Sequence, residues 1–148
     1  MDSIIIHKKE KNLEIHLTSE KMVEYTLLQQ LQKELLKQLP GVKKVNITPF
    51  FHLKEFSDEE MIRQYWKHMV YKISSESPVC KGVMKEAFWE LQQKKILIRV
   101  KNNMAYYMSK KGIGEKMQRC LEQEIGLQYS VMFKDVHLSQ EEKESISQ

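Results

Sequence analysis

Lys95-Ile96-Leu97-Ile98-Arg99-Val100 is a nearly unbroken apolar run, and a run of that length and composition reads as an inner strand of a sheet. The stretch Met61–Phe133 supplies its surroundings: an amphipathic helix, a second helix begun at Pro78, this strand, a third helix and a last strand. No cluster of chemically matched side chains interrupts that order. It describes a compact binding module rather than an active site.

The flanking elements carry their own signals. Ser57-Asp58-Glu59-Glu60 fits a capping box, in which a serine hydroxyl and a glutamate three residues on satisfy the free amides of a helix start. Met61, Ile62, Tyr65, Trp66, Met69, Val70 and Ile73 then form a broad apolar stripe. Ser77-Pro78 opens the next helix, with Val79, Val83, Met84, Ala87, Phe88 and Leu91 on one face. After the inner strand, Asn102 or Asn103 caps a helix with Met104, Met108, Met117, Leu121 and Ile125 as apolar positions, ended by Gly126. Gly112 and Gly114 each cost about 1 kcal/mol relative to alanine inside a helix, so residues 110–115 are a kink or a break. Tyr129–Phe133 returns to strand character.

The N-terminal part alternates in the same way. Ile4–His7 and Leu13–Leu17 read as a hairpin. Tyr25–Leu39 is a helix with Leu27, Leu28, Leu31, Leu35 and Leu39 on one face, ended by Pro40-Gly41. Val45 and Ile47 mark a strand that Pro49 is expected to stop. A chain of 148 residues with 41% hydrophobic and 30% charged residues fits one soluble domain. The expected organisation is a single α+β domain over residues 1–138, then a polar tail or linker at 139–148. No internal repeat is visible.

Charge and cysteine usage narrow the function classes. The net charge of +4, from 24 basic and 20 acidic residues, is a milder excess than dedicated nucleic-acid binders carry. Local basic clusters at Lys94-Lys95 with Arg99 and Lys101, and at Lys110-Lys111, are explained by charged loops around a sheet or by phosphate contacts. Cys80 and Cys120 lack metal spacing, and no apolar stretch approaches the ~20 residues that span a membrane. With no export signal at Met1-Asp2-Ser3, the expected location is the cytoplasm.

Candidate chemistry is sparse. The five histidines are scattered singly, and His68 has only Gln64 and Lys72 as helical neighbours, so it reads as a satisfied or solvent-facing side chain. Cys80 sits in a first helical turn without a histidine nearby to act as base, and reads as a small, partly buried residue. Gly112-Ile113-Gly114 after Lys110-Lys111 lacks the strand and the GK[ST] end of a P-loop. Trp66 belongs to the apolar stripe, whereas Trp89 beside Phe88 is the aromatic expected at the surface. No catalytic residue, metal ligand or cofactor site is assigned.

The series Ile4-Ile-Ile-His-Lys, Leu13-Glu-Ile-His-Leu, a helix, Val45-Asn-Ile-Thr, Gln64-Tyr-Trp, Ser77-Pro, Lys95-Ile-Leu-Ile-Arg-Val, then a long helix and a final strand resembles the N-terminal region of the PolC-type DNA polymerase III alpha subunit. The resemblance covers about residues 3–138. It implies a mixed sheet packed with helices in a pseudo-KH arrangement of the second type, similar to the alpha-binding domain of the clamp-loader tau subunit. It also implies a fragment without catalysis of its own. The full-length family member is a DNA-directed DNA polymerase with 3'-5' exonuclease. A nucleic-acid-binding KH domain clamps the backbone with a GxxG loop between two helices. The loop taken here as its counterpart, Ser74–Pro78, has no glycine and carries an acid, which counts against binding of that kind.

The expected function is therefore docking of a replisome protein, with the clamp-loader tau subunit as the implied partner and no membrane contact. The alternative is a single-strand or primer-template DNA-binding module. In that reading Lys94, Lys95, Arg99, Lys101, Lys110 and Lys111 meet phosphates, and Trp89, Tyr106 or Tyr107 stacks on bases or docks a partner.

Overall fold

The elements in chain order are β1 (Ser3–His7), β2 (Asn12–Ser19), α1 (Tyr25–Gln38), β3 (Lys44–Phe51), α2 (Asp58–Glu76), α3 (Pro78–Lys85), β4 (Phe88–Gln92), β5 (Lys95–Val100), α4 (Ala105–Lys110), α5 (Ile113–Ile125) and β6 (Ser130–Asp135). They come from a computed structural model that describes residues 3–7 as backbone and residues 10–53 and 55–136 in full. The expected tail at 139–148 lies outside the described residues. The fold is α+β, and its contacts divide into two units. One holds the chain up to Lys72 with Arg119–Gln128, the other Ile73–Gln118 with the chain from Tyr129 onward.

In the first unit β1 and β2 form the expected hairpin, antiparallel with Ile4 opposite Ile15. β3 lies parallel to β2 with Ile47 beside Ile15, and parallel neighbours need a crossover, which α1 provides. Leu28 is buried on this sheet with Ile15, Val45 and Ile47, and Leu35 packs against the same cluster. Between them the Gln32 side chain accepts a 2.8 Å hydrogen bond from the Ile47 amide. Leu27 and Leu31, expected on that face, are instead 48% and 43% exposed. The stripe that meets three strands is narrow, and these two leucines stand to one side of it.

Pro49 does not stop β3, which runs on to Phe51. β3 is an edge strand, so a missing amide hydrogen is tolerated there. The capping serine of α2 is in place, with Ser57 Oγ accepting from the Glu60 amide at 3.3 Å. Met61, Ile62, Tyr65, Met69 and Ile73 are buried as the stripe requires, and Phe51 tilts against Tyr65 with ring centroids 6.2 Å apart.

The second unit differs from expectation at Phe88–Leu91. These residues form β4, not the end of a helix, because α3 ends at Lys85 after burying Cys80 and Met84. A tight connection through Gln93, at φ +58°, folds β4 back antiparallel onto β5, and that pairing outweighs the helical spacing of the apolar residues. β6 lies parallel to β5 on its other side, so β5 is the inner strand expected.

The doubtful stretch 110–115 is a break. Gly112 adopts φ +71° between α4 and α5, a conformation that costs other residues steric strain, whereas Gly114 is inside α5. Asn102 and Asn103 are left-handed turn residues at φ +60° and +56° rather than caps. The Ala105 amide at the start of α4 is satisfied by Asp135 Oδ1 at 3.0 Å. Both sheets follow one plan, an antiparallel hairpin whose second strand gains a parallel neighbour after a helical crossover. No repeat in the sequence announces it.

Candidate functional site

Alternation along the strands of the second sheet sorts its side chains. Trp89, Leu91, Ile96, Ile98, Val100, Val131 and Phe133 fall on one face, where Ile96, Ile98 and Val100 are fully buried. The other face is built in cross-strand rows. Phe88 pairs with Arg99 and Arg99 with Lys134; next come Glu90, Leu97 and Met132; then Gln92, Lys95 and Ser130. Only Leu97 in its centre is buried, while Phe88 is 51% and Met132 41% exposed. Arg99 shares its charge with Glu90, Nη2 to Oε1 being 3.2 Å.

The basic residues expected to act together are distributed over this unit. Lys95 and Arg99 lie on the open face, and Lys94 reaches over the Tyr129 ring at 5.0 Å. Lys101 follows the last residue of β5, so Lys94 and Lys101 stand at opposite ends of that strand, about 23 Å apart at strand rise. Lys110 and Lys111 form a second cluster at the α4–α5 joint, each 5.8 Å from the ring centre of the tyrosine one turn back, Tyr106 and Tyr107 respectively. Tyr106 is 74% exposed.

Trp89 faces the covered side, and its neighbour Phe88 is the aromatic presented on the open face. Lys134 was not among the expected residues, although the alternation Ser130, Met132, Lys134 could have found it. The helix–helix loop expected at Ser74–Pro78 precedes the hairpin, whereas the joint between the helices that lead to β6 is Lys111-Gly112. Lys110, the last residue of α4, stands directly before it.

A buried polar cluster occupies the first unit. His68 and Glu124 are 4% and 0% exposed. His68 Nδ1 donates to the Val23 carbonyl at 3.1 Å, and Nε2 faces Glu124 Oε1 at 3.2 Å. Lys72 Nζ donates to Glu124 Oε2. The His68 ring stacks on Tyr65 and meets Tyr25 and Phe51 edge-on. Burial opposes the charge on Glu124, but His68 and the ammonium of Lys72 outweigh it and hold the carboxyl below its ordinary value. Burial likewise opposes the charge on Lys72, and Glu124 reverses the effect and raises it. Burial, reinforced by the Glu124 charge, pushes the Tyr65 phenol far up, and its hydroxyl donates to the Cys120 carbonyl at 3.4 Å. This is a paired, aromatic-walled ionic cluster. Nothing in the sequence marks Glu124 as the partner of residues more than fifty positions away.

Beside the start of α1 lies a cleft of about 240 Å3, lined by Met22, Tyr25, Thr26, Gln64, His68 and Tyr71 among others. Among the described residues no group of three or more His, Cys, Asp or Glu side chains is placed to hold a metal ion, and no helix is long and apolar enough to cross a membrane.

Two family models match the chain: DNA polymerase III polC-type N-terminus I over residues 1–48, and DNA polymerase III polC-type N-terminus II over residues 64–148. No curated protein and no solved structure gives a significant match.

Proposed function

The chain belongs to the PolC-type DNA polymerase III family, as its N-terminal regions I and II, and from that premise we propose that it is a non-catalytic docking module of a replicative polymerase. The observation that carries this reading is the apolar strip on α1. Leu27 and Leu31 lie one turn apart and stay exposed while Leu28 and Leu35 face the sheet, and an exposed apolar strip is a feature that partner proteins cover.

The partner is a replisome protein, with the clamp-loader tau subunit the first to test, in the cytoplasm and away from membranes. DNA synthesis and 3'-5' proofreading belong in this reading to the full-length protein. The interaction region is residues 1–138, and its second unit is of pseudo-KH type, a reading supported by the order α3–β4–β5–α4–α5–β6. Isothermal titration of the chain with purified tau tests the proposal. Leu27→Gln/Leu31→Gln is expected to weaken binding by more than about tenfold with little dependence on salt. No heat with tau or with the other clamp-loader subunits would overturn it.

DNA binding is the second reading. It is favoured by the α4–α5 joint, where Lys110 and Lys111 accompany the exposed Tyr106.

A further inference from the structure

We propose that the open face of the β4–β5–β6 sheet is a platform for single-stranded nucleic acid. This goes beyond protein docking and stands on different residues from the α1 strip. The row Phe88, Arg99, Lys134 crosses all three strands in register. With neighbouring strands about 4.8 Å apart, it places an exposed aromatic ring within ~10 Å of two cations. Lys95 adds a third cation four residues before Arg99 on β5, about 13 Å along the strand. That distance is close to two nucleotide steps of an extended backbone.

Charge complementarity selects the occupant. The face offers three cations against one acid, Glu90, which is itself bound to Arg99. Its most exposed aromatic, Phe88, has no hydroxyl to direct hydrogen bonds and presents a ring that any base can stack on. Met132, in the adjacent row, gives a second apolar surface for a neighbouring base. Phe88 opens the edge strand β4, and Arg99 and Lys134 follow it across the face; an aromatic ring with cations beside it holds unpaired bases without reading a duplex. Stacking supplies the contact with the bases, and Arg99, Lys134 and Lys95 supply the phosphate contacts that make it salt-dependent.

The test is fluorescence anisotropy of the 148-residue chain with a labelled oligodeoxythymidine of about 12 nucleotides, across a salt series. Binding is expected to weaken steeply with salt. Phe88→Ala should weaken it about tenfold, and Lys134→Gln should lower the slope of log affinity against log salt by about 0.7. Glu90→Gln, by freeing Arg99, should strengthen it. Both Phe88 and Lys134 are exposed, and circular dichroism of each variant confirms that the fold is kept. Absence of binding at low salt would overturn the proposal. So would binding that survives Phe88→Ala and Lys134→Gln but is lost in Lys110→Gln/Lys111→Gln, which places the strand on the α4–α5 joint. Capture of tau, but not of the oligonucleotide, in a manner sensitive to Phe88→Ala would assign the face to protein and also sink it, while leaving protein docking intact.

Discussion

Glu124 shows what a single residue can do that its sequence neighbourhood does not reveal. It is completely buried, yet charged, because His68 and Lys72 meet its two oxygens. Removing one member of a buried ion pair leaves the others uncompensated, so Glu124→Gln should cost about 3–5 kcal/mol, read from urea unfolding of the two proteins. The pH dependence has two arms. The folded carboxyl lies below the ordinary ~4.3 of a glutamate, so its contribution is whole above that value and is lost as pH falls through the depressed one. The Lys72 ammonium lies above its ordinary ~10.4, so its contribution is whole below that value and is lost as pH rises through the raised one. Both shifts describe one interaction and are not summed. Glu124→Gln should flatten both arms of the stability–pH profile, and an unchanged acid arm would show that Glu124 is not ionised in the folded protein. The sequence left His68 satisfied or solvent-facing, and it is buried; Glu124 as its neighbour was not readable, since helical spacing describes only neighbours on the same helix.

Elements were legible where local pattern and tertiary pairing agree, as in β2, α2 and β5, and were misread where they conflict. Phe88, Ala87, Val83 and Met84 keep a helical spacing, but β5 needs an antiparallel neighbour, and a pairing partner does not show in local periodicity. The α4–α5 region shows the same limit at two glycines with identical propensity. Gly112 breaks the helix by its positive φ, whereas Gly114 lies within α5, where an added Cβ would approach the Val131 carbonyl oxygen to 3.2 Å. Close packing of α5 on β6, not chain flexibility, accounts for Gly114. Gly114→Ala should therefore not bring the ~1 kcal/mol gain in helix propensity expected of such a change, and should instead lower stability. Gly82→Ala in α3, where a Cβ meets nothing within 4 Å, should bring that gain. A stabilised Gly114→Ala protein in chemical denaturation would show that the helix–strand contact is looser than 3.2 Å implies.

At the scale of the whole molecule, the same sheet plan occurs twice with different outward chemistry. The first unit's distinctive surface is apolar, from Leu27 and Leu31 on its crossover helix. The second unit's is an aromatic and cationic sheet face together with a tyrosine–lysine joint. Fold class and the identity of the inner strand were readable from residue patterns, but this division of surfaces was not. Sequence order sets Lys94 through Lys111 in one basic stretch, and β5 holds Lys94 and Lys101 about 23 Å apart. If the two surfaces serve separate partners, they should fail separately. Leu27→Gln/Leu31→Gln should weaken tau binding while leaving oligonucleotide affinity and its salt slope unchanged, and Phe88→Ala/Lys134→Gln should do the reverse. Protein docking through leucines gains little from low salt, whereas each phosphate contact releases counterions, so the two isotherms should also diverge as ionic strength rises. A variant in either unit that weakens both partners equally, with the fold retained, would mean that one surface carries both activities and that the division by unit is not a division of labour.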